Sequence, residues 1–218
     1  MTDTPLSPTE RSTVLRHSER ARADRQALYD VLDAGLVCHL GFVVDGCPVV
    51  LPTLYGREGD TLYMHASSGA RSSRLFAEGA DVCVTVTHVD GVVYGRSVFH
   101  HSVNYRSAVV HGRARTMPSE DAKRHGMKVL AEHVAPGAWD YARRPDAKEL
   151  AAVAVTALDL TESSVKVRTG PPRDRDDEVT PDMWAGVLPV SLGVGAPWPD
   201  PRVPEGVAVP EHVRARRL

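Results

Sequence analysis

Leu36-Val37-Cys38-His39-Leu40-Gly41-Phe42-Val43-Val44-Asp45-Gly46-Cys47-Pro48-Val49-Val50-Leu51-Pro52-Thr53-Leu54-Tyr55 is the stretch that decides the fold. Two runs rich in Val, Leu and aromatics flank Asp45-Gly46, the dipeptide suited to a two-residue type I′ turn. They predict a hairpin of strands over 36–44 and 47–55. A second turn at Arg57–Asp60 leads to Thr61–Ala66, where Leu62, Met64 and Ala66 alternate with Tyr63 and His65 as in a strand. Three consecutive strands leave no room for the crossover helices that a parallel sheet needs. Outward on the N-terminal side, Ser18–Ala34 predicts a helix capped by Ser18 or Asp24 and stopped by Gly35. Pro5 and Pro8 make residues 1–17 an extended arm.

On the C-terminal side, Arg71–Glu78 predicts a short helix ended by Gly79. Asp81–Val89 follows as a strand with Val82, Val84 and Val86 on one face, continued by Val92–Arg96 after Asp90-Gly91. Arg106–Thr116 predicts another strand, Ser119–His133 a helix capped by Ser119, and Ala151–Leu160 and Ser164–Arg168 the last strands. A loop is expected around Pro136–Pro145. After Gly170-Pro171-Pro172 a charge run and recurring prolines, Pro181 among them, predict an irregular tail, with Met183, Trp184, Val187 and Leu188 anchoring it on the body or on a partner subunit. The expected division is an arm over 1–17, a barrel domain over 18–170 and an extension over 171–218. Six or seven strands with turns between them favour a mainly β, antiparallel barrel with a few short helices.

The 218 residues are 42% hydrophobic and 25% charged, with a net charge of −2, which argues against a general nucleic-acid or membrane-surface binder. No apolar run reaches the roughly 20 residues of a membrane span, and Met1–Pro5 shows no signal pattern. Cys38, Cys47 and Cys83 are odd in number and lack CxxC spacing, so they are expected as reduced core thiols in a cytoplasmic protein.

Two stretches carry chemistry. In Leu62–Arg74 the hydroxyls of Ser67, Ser68, Ser72 and Ser73, Gly69, and the cations Arg71 and Arg74 fall at a strand-to-helix junction. A phosphate needs free backbone N–H groups, short donors and guanidinium charge, which this junction offers; the plain alternative is a polar turn before a capped helix. In Arg96–Ser107, polar, aromatic and cationic side chains crowd between two strands. Adjacent histidines on a strand point to opposite faces, so His100 and His101 are not expected to share a metal; the segment is either a hydrogen-bonded strand entry or a ligand pocket at a subunit boundary. No HExxH, GxGxxG, GKS/T or GxSxG pattern occurs, and the ten histidines are dispersed.

The order of short words resembles the FMN-binding split-barrel superfamily, specifically its pyridoxamine 5′-phosphate oxidase-like branch with the nitroimidazole-resistance (Nim) proteins. The matching words are Arg16–Arg20, Val37–Phe42, Asp45–Thr53, Leu62–His65, His101–Ser107, Lys166–Pro172 and Trp184–Pro189. Gly137-Ala138-Trp139 departs from the Gly-Arg-Trp expected of close relatives. The resemblance implies a six-stranded antiparallel split β-barrel acting as a homodimer, with flavin sites at the subunit interface. It implies that Pro52, Thr53 and Leu54 lie along the flavin ring with backbone amides near N5. Tyr63, Met64 and His65 would flank the ring, and Ser67, Ser68, Arg71 and Ser72 would hold the phosphate. His100, His101, Asn104, Tyr105 and Arg106 would come from the other subunit or the substrate side, with Trp139 nearby.

The expected activity is that of an FMN-dependent oxidoreductase on a small organic, nitro-aromatic among others, substrate, with His101 and Arg106 as the catalytic candidates. The absence of an evident acid/base pair suits a flavin enzyme better than a hydrolase. Alternatives are a non-enzymatic flavin carrier, a haem-binding split barrel with His65, His100 or His101 as axial ligand, and a protein for the deazaflavin F420.

Overall fold

A computed structural model describes residues 5–6, 9–180 and 182–217. Residues 1–4, Pro8 and Pro181, on which parts of the arm and tail expectations rest, lie outside the described residues. In chain order the elements are β1 (Ala21–Arg22), α1 (Arg25–Asp33), β2 (Val37–Val44), β3 (Cys47–Glu58), β4 (Thr61–Ser67), α2 (Arg71–Ala77) and β5 (Ala80–Tyr94). There follow β6 (Ser102–Thr116), α3 (Glu120–Val134), α4 (Ala138–Tyr141), α5 (Ala147–Ala152), β7 (Val153–Asp159), β8 (Glu162–Arg168), β9 (Gly186–Pro189) and α6 (Glu211–Arg214). The strands pair in the order β1-β8-β6-β7-β4-β3-β2-β5-β9, and β6 also pairs with β5. Strands β2 to β7 thus close a six-stranded ring, the split β-barrel. No helix among the described residues is long and apolar enough to cross a membrane.

The hairpin forms as its sequence dictates. Val44 faces Cys47, and Asp45 and Gly46 both have positive φ (50° and 76°), the backbone of a type I′ turn. The chain divides into two compact units: 1–35, 83–111 and 161–192 make one, and 36–82, 112–160 and 193–218 the other. The first unit buries Leu28, Val31 and Leu32 of α1 with Val84, Val86, Val93, Val110 and Val165. The second buries Tyr55, Leu62, Met64, Val155 and Leu158, with Phe42 and Phe76 packed edge to face at 5.5 Å. There α3 lies close on β3 and β4 because two glycines permit it. A Cβ on Gly56 would stand 2.8 Å from the Val129 carbonyl oxygen, and one on Gly126 would stand 2.6 Å from Val155 Cγ1 and 3.0 Å from the Tyr63 ring.

The predicted helix over 18–34 begins only at Arg25. Asp24 caps it by accepting from the Ala27 N–H, while Ala21 and Arg22 pair with Lys166 and Val165, so strand pairing takes the residues that local propensity assigned to helix. Asp90-Gly91 does not interrupt β5, because Gly91–Tyr94 pair with Gly186–Pro189 of the tail. The tail is thereby anchored through Val187 and Leu188, and the exposed Trp184 ring meets Tyr94 of β5 at 5.9 Å; Met183 is exposed. The expected loop around Pro136–Pro145 contains α4; after it α5, started by a reciprocal Asp146–Glu149 capping box, takes Ala151 and Ala152 from the predicted strand, so that β7 begins at Val153. Cys47 is exposed, Cys83 half-buried and Cys38 buried, so only Cys38 is a core thiol, with burial pushing its pKa up to about 12.

The arm is tied down in the first unit. Leu6 is buried, and Arg11 donates to both Glu162 carboxylate oxygens at 2.7 and 2.6 Å, with Thr9 donating to one of them. These bonds, Arg11's first, hold the Glu162 carboxyl down at about 2.

Candidate functional site

In the second unit the candidates gather on β3, β4 and the start of α2. Strand β3 pairs with β2 from Cys47 to Leu54, but with β4 only from Tyr55 onward. Over Cys47–Leu54 its second edge therefore has no strand partner among the described residues. Pro52 and Leu54 are exposed and Thr53 is half-buried. Pro52 has no N–H, so the main-chain donors of this word are Thr53 and Leu54 alone. Along β4 the alternation sends Met64 into the core, 2% exposed, which leaves it only its backbone for a ligand. Tyr63 turns toward α3, where its ring meets His125 edge-on at 5.9 Å, and burial followed by the Glu58 charge raises its phenol pKa. His65 is exposed.

At the junction, Ser67 and Ser68 are exposed, but Ser72 is buried and the Ser73 hydroxyl donates to the Ser67 carbonyl at 2.7 Å. Ala70 occupies the N-cap of α2 without a side-chain bond, so the serines before the helix are not engaged as caps. Arg71 pairs with Asp45 of the hairpin turn, both side chains well exposed. Such a surface pair is worth about 0–1 kcal/mol, so Asp45 parks the guanidinium without locking it. Trp139 is the second residue of α4; its backbone N–H donates to Glu132 at 2.9 Å and the Arg144 guanidinium lies 4.6 Å from its ring centre. The pair lines a cavity of about 350 Å³ with Met127, Ala131 and Val153.

In the first unit, His100 and His101 diverge, though not by strand alternation. His100 ends a 3-10 turn over Val98–His100 and His101 caps it. His100 Nε2 lies 3.1 Å from a Glu178 carboxylate oxygen. His101 is exposed, shares a 3.1 Å hydrogen bond through Nδ1 with the Ser97 carbonyl, and meets Tyr94 edge-on at 5.7 Å. Its Nε2 has no partner among the described residues. Asn104 is buried, donating to the Gly170 carbonyl at 3.1 Å and accepting from Arg168. Tyr105 faces Arg168 across the β6–β8 ladder. Arg106 forms a bidentate pair with Asp90, both bonds 3.0 Å, and these bonds raise its pKa. An anionic substrate would have to displace Asp90 to reach it.

Several neighbours escape a reading of the sequence. Asp174 accepts from the Arg96 backbone and guanidinium at 3.0 Å, and Arg96 lines a cavity of about 710 Å³ with Val179, Met183 and Trp184. His100, Asp174 and Glu178 bring one possible metal-ligating atom each within 4.8 Å of one another. For Asp174 and Glu178 the charge run of the tail was the only signal, whereas Arg96 and His100 lie in the stretch already singled out.

The six-stranded ring is that of a split barrel, and the family follows from comparison. The pyridoxamine 5′-phosphate oxidase family model matches residues 24–167, and the chain belongs to that family. Among solved structures it is similar to the flavocytochrome Anf3 from Azotobacter vinelandii, at 38% identity over 98% of this chain and 100% of that one, with a TM-score of 0.91. It is also similar to the FAD and heme binding protein from Mycobacterium smegmatis, at 38% identity over 89% of this chain and 96% of that one, with a TM-score of 0.86. A protein described as a 5-nitroimidazole antibiotic resistance protein from Bacteroides thetaiotaomicron shares the fold, at 22% identity over 67% and 86% of the two chains and a TM-score of 0.56. No curated protein matches the chain.

Proposed function

We propose that this chain is a flavin-binding redox protein that also carries haem, and that it acts as an oxidoreductase. The observation that carries the reading is the near full-length likeness, at 38% identity, to two proteins described as a flavocytochrome and as an FAD and heme binding protein. The same likeness favours FAD over the FMN implied by the family resemblance. When bound, a flavin exchanges electron pairs or single electrons and a haem single electrons, while the protein supplies position and polarity. The unpaired edge of β3 at Thr53 and Leu54, with exposed His65 beside Ser67 and Ser68, suits a flavin and its phosphate. His101 suits the haem iron: its Nδ1 lies on a carbonyl, the arrangement that orients a ligating imidazole and leaves Nε2 for a metal. His65 offers no such orienting bond, and Nε2 of His100 already faces Glu178.

Arg71 tests the phosphate assignment. Arg71→Ala is expected to weaken FAD and FMN binding by about 1.5–3 kcal/mol, the range for charge-assisted hydrogen bonds, and riboflavin binding much less. Equal losses for all three ligands in fluorescence titrations would mean that Arg71 acts through the fold.

A homodimer completes the proposal. On the outward side of the hairpin, Val37 faces Leu54, His39 faces Pro52, Gly41 faces Val50 and Val43 faces Pro48. Val37, Val43, Val50 and Leu54 are all exposed, which makes a continuous apolar face of the kind a second copy covers. Val50→Glu is expected to shift the protein from dimer to monomer in sedimentation velocity; an unchanged dimer would place the interface elsewhere. The three unpaired thiols suit a reducing compartment, and a cytoplasmic location belongs to the same reading.

A further inference from the structure

Arg168 is only 7% exposed, yet it meets no carboxylate among the described residues. Its Nη1 donates to the Asn104 side-chain oxygen, and Nη2 lies 3.5 Å from the Pro171 carbonyl. Both acceptors are neutral, and a buried charge without a counter-charge is costly. Two further guanidiniums share its surroundings. A 3-10 turn over Ser18–Arg20 starts from His17, whose φ of 56° is the left-handed backbone that non-glycine residues rarely adopt. The next residue, Ala21, pairs with Lys166 on β8, two positions from Arg168. Arg20 Nε is buried there without a hydrogen bond, 3.6 Å from Glu19 Oε1. Arg173 Nη1 stands 3.6 Å from that same oxygen. Glu19 Oε1 is also 3.2 Å from His17 Nδ1. The charges of Arg20 and Arg173 add to desolvation in pulling the Arg168 pKa down.

We propose that Arg20, Arg168 and Arg173, with Asn104, form a binding site for a phosphoryl oxyanion. Three guanidiniums set against the one carboxylate of Glu19 leave two positive charges to balance, which matches a phosphate dianion or a pyrophosphate better than a single carboxylate. Asn104 holds Arg168 in place, and the strained turn at His17 carries Arg20 inward. A phosphoryl group would give Arg20 Nε the acceptor it lacks. The source is either the phosphate of a bound nucleotide or free phosphate.

The site does not rest on the flavin reading, and its test needs no flavin. The full chain, freed of cofactors at low ionic strength, is titrated calorimetrically with inorganic pyrophosphate. Saturable binding is expected. Arg173→Gln, at an exposed position that leaves the fold intact, should weaken it about tenfold to hundredfold, as should Arg20→Gln. Arg202→Gln, an exposed cation in the other unit that belongs to neither phosphate site, should leave it unchanged. Displacement of pyrophosphate by FAD or FMN but not by riboflavin assigns the site to a cofactor phosphate; retention against all three assigns it to free phosphate. The proposal is overturned if pyrophosphate does not saturate the wild-type chain, if Arg173→Gln binds it as tightly as wild type, or if Arg202→Gln weakens binding as much as Arg173→Gln does.

Discussion

His101→Ala is expected to remove stable haem uptake from the protein while leaving its melting temperature nearly unchanged. The ring is exposed, so its loss opens no core cavity, and its Nδ1 is already oriented by the Ser97 carbonyl. Loss of a group that merely supports a metal ligand costs roughly 10–100-fold in affinity, and loss of the ligand itself should exceed that. Haemin titration followed at the Soret band reads the effect, and added imidazole should restore the band in the variant. His100→Ala is the control. Its Nε2 faces Glu178, so that variant should loosen the tail and keep the haem. Equal haem affinity in His101→Ala and wild type would remove His101 from the iron.

Gly56→Ala is expected to be among the most damaging single-methyl changes in the chain. The added Cβ meets the Val129 carbonyl oxygen at 2.8 Å and Leu130 Cα at 3.0 Å, which are backbone atoms of α3 and cannot rotate away. Overpacking of this kind costs about 1–3 kcal/mol. For a protein of this size that corresponds to roughly 2–4 °C of melting temperature per kcal/mol. Gly193→Ala meets nothing within 4 Å and should be silent. Thermal unfolding of the two variants side by side is the check, and equal melting temperatures would mean that α3 does not press on β3 as described.

The hairpin was legible in the sequence because its turn chemistry is local: Asp45-Gly46 has one favoured backbone, and it adopts it. Alternation likewise placed Val82, Val84 and Val86 inside β5. What failed was decided by partners distant in sequence. Ala21 and Arg22 join β8 rather than a helix, and Gly91 continues β5 because the tail residue Pro189 pairs with it. At the candidate site, residue types were visible but their engagements were not. Nothing local tells that Asp90 holds Arg106, that Asp45 holds Arg71, or that Ser72 is turned inward. His100 and His101 do part company, yet through a 3-10 turn rather than the alternation of a strand. The arginine group at Arg168 was present as part of a matched word, but its lack of a counter-ion appears only once β1 is laid on β8.

Binding of both a flavin and a haem by one chain is tested most directly by the visible absorption spectrum of the purified 218-residue chain. It is supplied with FAD and haemin and then freed of excess ligand. A flavin band and a Soret band retained together on the protein are the predicted result. Retention of one without the other, or of neither, contradicts it.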